Sequence, residues 1–83
     1  MIQRIKDAVH NAAGSKHKIA MFHFQVLTNA KELEGMNPEA VCKELAVPAT
    51  YATEFRKMLN LARLMKERGV RLVGSAATER EAV

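Results

Sequence analysis

His10, His17, His23 and Cys42 are the side chains of this chain best suited to metal ligation or nucleophilic chemistry, and their spacing supports neither. No two histidines stand four apart, as a pair of ligands on one helix face would, and no Cys/His pairing has zinc-ligand spacing. No carboxylate partner is evident beside them, so a solvated or core-edge role is expected for all three. Cys42 is the sole cysteine, which excludes an internal disulfide, and it reads as a small apolar residue at a helix crossing. No glycine-rich phosphate loop, nucleophile elbow or paired-carboxylate arrangement is present. Folding 83 residues gives a small core that seldom encloses a water-free pocket. The expectation is a protein that is not an enzyme and has no metal, no cofactor and no small-molecule ligand.

The charges are more informative than the nucleophiles. The chain carries 13 Lys and Arg against 9 Asp and Glu, a net of +4, and the excess is unevenly placed. Residues 1–31 hold a net of +4, residues 32–54 a net of −4, residues 55–71 a net of +5 and the last twelve a net of −1. This basic–acidic–basic layout suits a surface that meets a polyanion over part of its area. No run of 18 uncharged apolar residues exists, so no membrane span is expected. Arg4, Lys6 and Asp7 fall where the apolar region of a signal peptide would lie, so a cytoplasmic protein is expected.

The hydrophobic pattern is helical throughout. Ile2, Ile5, Val9 and Ala12 repeat at helical spacing over residues 2–12. Gly14 can end that helix, and Ser15 can cap a second one running from about Lys16 to Glu34. The second helix carries two apolar stripes: Ile19, Phe22, Val26, Ala30 and Leu33 on one, Ala20, Phe24 and Leu27 beside it. A helix that apolar is buried on more than one side, and a second copy of the chain is one way to cover the second stripe. Gly35 sits where a left-handed cap belongs. Asn37-Pro38-Glu39 is a strong start signal: a capping side chain, a first-turn proline, and an acid at the positive helix end. Pro48 limits that third helix to about eight residues. Thr50 is placed to cap a last helix running from about Tyr51 to Arg68 and ending at Gly69. Val70–Val73 reads as either a short strand or an extended arm, and residues 74–83 as a loose tail. The fold class is all-α: one compact four-helix domain over residues 1–73, followed by the tail.

Pro38 to Lys57, PEAVCKELAVPATYATEFRK, carries the functional signal. A short helix, a tight turn and a second helix form a helix-turn-helix unit. The close crossing needs a small residue, supplied by Cys42, and apolar residues flanking the turn, supplied by Leu45 and Val47. Ala46 opens the turn at a position that prefers positive φ and is usually glycine. Phe55 returns to the core eight positions after Val47, and Ala52 takes the other inward position, usually occupied by a larger residue. The segment resembles the helix-turn-helix DNA-binding domains of small bacterial, phage and plasmid transcription regulators.

That resemblance implies a recognition helix beginning near Thr50, with its first turns in the major groove of double-stranded DNA. Thr50, Tyr51, Thr53, Glu54 and Lys57 are expected on its outer face. The threonines can bond phosphates or bases, Lys57 can donate to guanine or phosphate, and Glu54 can accept from cytosine N4. The positive end of the Pro38 helix, with Lys43 nearby, is expected to face a phosphate, and Arg56 and Arg63 to reach the flanking backbone. Arg68 and Arg71 lie too far along the helix for such contacts. Regulators of this type commonly bind palindromes as dimers. A homodimer joined by the first two helices or by Val70–Val73 is therefore expected, repressing or recruiting by occupancy of its site. The competing reading is a helical module that binds a host protein.

Overall fold

The computed structural model describes residues 1–72 and is all-helical over that range. Five helices follow in order: α1 (Ile2–Asn11), α2 (Gly14–Thr28), α3 (Ala30–Leu33), α4 (Pro38–Glu44) and α5 (Tyr51–Glu67). None of them is long and apolar enough to cross a membrane. The layout has α2 at its centre, packed against both α1 and α5, while α4 packs on α5 and touches α1. Ile5 and Val9 of α1 meet Phe22 and Val26 of α2, and Val41, Cys42, Ala52, Phe55 and Leu59 complete the same core with Leu33 and Leu45. The core residues of α1, α2 and α5 stand three or four apart, which places them on one face of each helix.

Several expectations are corrected. The predicted second helix is two helices, because the chain breaks at Asn29 (φ −109°, ψ 20°). Local side chains favour the break: the Thr28 hydroxyl donates to the Phe24 carbonyl, and the Asn29 amide to the Gln25 carbonyl. Such bonds compete with the helical ladder, so the described residues form five helices rather than four. Ser15 lies inside α2; the cap position is Ala13, with no side-chain cap bond, and Gly14 enters with φ +77°. Thr50 occupies the cap position of α5, but its hydroxyl makes no capping bond. Only the first apolar stripe of α2 is covered: Phe22 and Val26 are fully buried, whereas Phe24 is 56% exposed. Val70, Arg71 and Leu72 form no strand. Val73 and residues 74–83, and with them the expected tail, lie outside the described residues.

Other signals read from the sequence hold. The Asn37 side chain accepts the Ala40 N–H at 2.9 Å and caps α4, with Pro38 at its first position. Gly35 (φ +89°) follows Glu34 (φ −62°, ψ 132°), and the Met36 N–H donates to the Leu33 carbonyl. That is a type II turn, which requires positive φ at its third residue.

Candidate nucleic-acid interface

The turn between α4 and α5 is built by a backbone motif. The Ala46 N–H donates to the Lys43 carbonyl and the Val47 N–H to the Cys42 carbonyl, both at 3.1 Å. These two bonds, with a left-handed residue between helix and turn, form a Schellman cap. The left-handed residue is Ala46, at φ +56°, and it is the sole non-glycine residue with positive φ among those described. The position read from the sequence as favouring glycine therefore has the expected conformation. Beneath the turn, Cys42 is 2% exposed and Ala52 4%. Two small residues at this crossing let the helices approach closely, and burial pushes the Cys42 thiol pKa up, keeping it protonated and inert. His10 secures the turn from α1, its Nε2–H donating to the Leu45 carbonyl at 2.7 Å.

α5 is held from three sides. Towards α4, Arg56 pairs with Glu39, which lowers the Glu39 carboxyl pKa. Towards α2, the Tyr51 ring stacks at a tilt on Phe22, with centroids 4.9 Å apart. One turn further, His23 Nε2 donates to Glu54 Oε1 at 2.8 Å, and Lys57 Nζ donates to Glu54 Oε2 at 3.3 Å. The His23 bond first, then the Lys57 bond, hold the Glu54 carboxyl below its ordinary range. Towards the end of α3, Arg63 lies 3.5 Å from Glu34 and also donates to Asn60 Oδ1 at 2.9 Å.

These ties separate the predicted interface residues from one another. Thr50, Thr53 and Lys57 are exposed and fall on one stripe of α5, at spacings of three and four. Tyr51 and Glu54 are half-buried and turn towards α2, not freely outward. The expected outer face is thereby narrowed, because α2 covers that flank of the helix. Arg56 and Arg63 are exposed on other sides of α5 and carry carboxylate partners. Lys43 is exposed in the last turn of α4, away from the Pro38 end. Asn60, which the sequence reading passed over, continues the Thr50–Thr53–Lys57 stripe and is exposed. Its signal was available, since it stands seven residues after Thr53 and three after Lys57. An Asn amide has the donor and acceptor that adenine recognition uses; here the Asn60 Oδ1 accepts from Arg63, an exposed bond that a base would have to replace.

The stripe presents two hydroxyls, an ammonium and an amide to solvent on a rigid helix. That set can donate to and accept from base edges or phosphates. Among the described residues no three His, Cys, Asp or Glu side chains come together as a metal set. A family model for an HTH-like domain matches residues 1–68. No curated protein and no solved structure matches the chain.

Proposed function

The chain belongs to the HTH-like domain family, and from that premise we propose that it binds double-stranded DNA sequence-specifically as a small transcription regulator. An HTH-like domain points to DNA binding in general. The observation that carries it is the exposed stripe Thr50, Thr53, Lys57 and Asn60 on a helix braced by α2 and α4.

In this reading the first turns of α5 enter the major groove. Thr50, with no capping bond to satisfy, offers its hydroxyl to a phosphate or base, and Thr53 and Lys57 read base edges one and two turns on. Tyr51 supports the helix through Phe22. Glu54, turned towards α2, acts by holding Lys57 in place. Arg56, Arg63 and Lys43 contact the flanking phosphates. Arg56 and Arg63 must exchange their carboxylates for phosphate oxygens, a small penalty because both pairs are exposed and screened by water. Two copies bind a palindrome as a homodimer, and control is by occupancy of the site in the cytoplasm.

Selection of bound fragments from a random duplex library, at about 50 and 200 mM salt, tests this reading. The expected result is an enriched palindrome at both salts, with affinity falling steeply as salt rises. Recovery without enrichment leaves only non-specific binding, and no recovery at either salt overturns the proposal. Replacing Thr50, Thr53 and Lys57 together by Ala is expected to abolish enrichment with the fold retained.

A further inference from the structure

A groove of about 800 Å³ opens between α2, α3 and the end of α5, on the flank where the described chain leaves that helix. Its origin is a second Schellman cap. The Gly69 N–H donates to the Lys66 carbonyl and the Val70 N–H to the Met65 carbonyl, with Gly69 at φ +71°. The cap turns Val70 back against Met65, so the wall of the groove is set by backbone bonds. Its apolar lining comes from Leu27, Met65, Val70 and Leu72, of which Val70 is 52% and Leu72 46% exposed. Three cations, Lys31, Lys66 and Arg71, line the same groove. None of them has a salt-bridge partner among the described residues, in contrast to Arg56, Lys57 and Arg63.

We propose that this groove docks an acidic, amphipathic peptide segment of a partner protein, with its apolar side chains on Leu27, Met65, Val70 and Leu72 and its carboxylates on Lys31, Lys66 and Arg71. The inference goes beyond DNA binding and does not depend on it. Charge complementarity requires an anion, and the exposed apolar lining requires a ligand that also brings hydrocarbon, which a nucleic-acid backbone does not. The position agrees: Lys66 is about 24 Å along the helix from Thr50 at 1.5 Å per residue, so a peptide and a duplex can be held together. A second copy fits less well. The chain is basic overall, 13 Lys and Arg against 9 Asp and Glu, so a copy brings an excess of like charge to the groove's cations.

The test is fluorescence anisotropy of the full chain with a labelled 16-residue synthetic peptide of four Glu-Leu-Leu-Glu repeats. The control peptides replace every Glu by Lys or every Leu by Ser. Saturable binding of the first peptide alone is expected. It should weaken at least tenfold in the Lys31→Glu/Lys66→Glu variant and in the Val70→Ser/Leu72→Ser variant; all four positions are exposed, so both variants should keep the wild-type circular dichroism and melting. No binding of the first peptide, equal binding to the variants, or equal binding of the Leu-to-Ser peptide overturns the proposal. Three further results assign the groove elsewhere and also overturn it. Duplex DNA displacing the peptide competitively makes it a nucleic-acid surface. A tenfold gain in affinity in Glu79→Gln/Glu81→Gln makes it a site for the chain's own acidic residues. Concentration-dependent growth of the free protein beyond a dimer, abolished by Lys31→Glu/Lys66→Glu, makes it a contact between copies.

Discussion

Ala46 is where a single residue departs most from what its backbone position favours. A side chain with a Cβ in the left-handed region costs roughly 1–2 kcal/mol, and the two cap bonds at this turn hold it there. Glycine removes the clash but adds unfolded-state entropy of about 0.4–1 kcal/mol. The balance predicts that Ala46→Gly stabilises the protein by about 0.5–1 kcal/mol. In a domain this small that raises Tm by about 2–8 °C. Ala46→Val, branched at Cβ, should lower it. Thermal melts of the three proteins check the ordering; a glycine variant no more stable than wild type would mean that the turn is not strained at Ala46. The fit between residue and position was legible from the sequence because it rests on neighbours within a few residues, as do the Asn37 cap and the inward placing of Ala52 and Phe55.

At the scale of elements, the contacts between α2 and α5 are what the sequence did not reveal. His23 and Glu54 are 31 residues apart, and no local pattern says which flank of α5 a distant helix will cover. For that reason Tyr51 and Glu54 read as outward residues, and the Thr28–Asn29 break was hidden inside a continuous apolar repeat. The His23–Glu54–Lys57 link has a pH signature. The Glu54 carboxyl is lowered from its ordinary 4.5 by these two partners. A carboxyl depressed in the folded state adds stability above its unfolded pKa, and that contribution is lost as pH falls through the folded value. Stability is therefore expected to decline on acidification below about pH 4.5, the ordinary carboxyl value. Glu39, lowered chiefly by its bond to Arg56, acts in the same direction. Glu54→Gln should be less stable than wild type at neutral pH, with the gap closing in acid. Denaturant melts across about pH 3–7 check this; parallel curves for the two proteins would show that the link contributes nothing.

At the scale of the whole molecule, the two stripes of α2 have opposite fates. Phe22 is fully buried in the core, and Phe24, two residues on, stands 56% exposed beside a shallow groove lined by Ala12, Ala13, His17, Ala20 and Met21. In the proposed dimer a two-fold axis would seat each Phe24, itself part of the groove's wall, against the other copy's groove. This is the first-two-helices version of the dimer proposed above, and it predicts sedimentation at twice the 9.2 kDa chain mass. Phe24→Lys should sediment as a monomer with stability within about 0.5 kcal/mol of wild type, as for an exposed position. Phe22→Ala should instead lose about 3–5 kcal/mol. Linking two DNA-binding surfaces raises avidity by about 10²–10⁴. Phe24→Lys should therefore lose affinity on that scale for the palindrome while binding an isolated half-site as wild type does. A wild-type protein that is monomeric on DNA, or a Phe24→Lys protein that remains dimeric, would remove α2 from the interface.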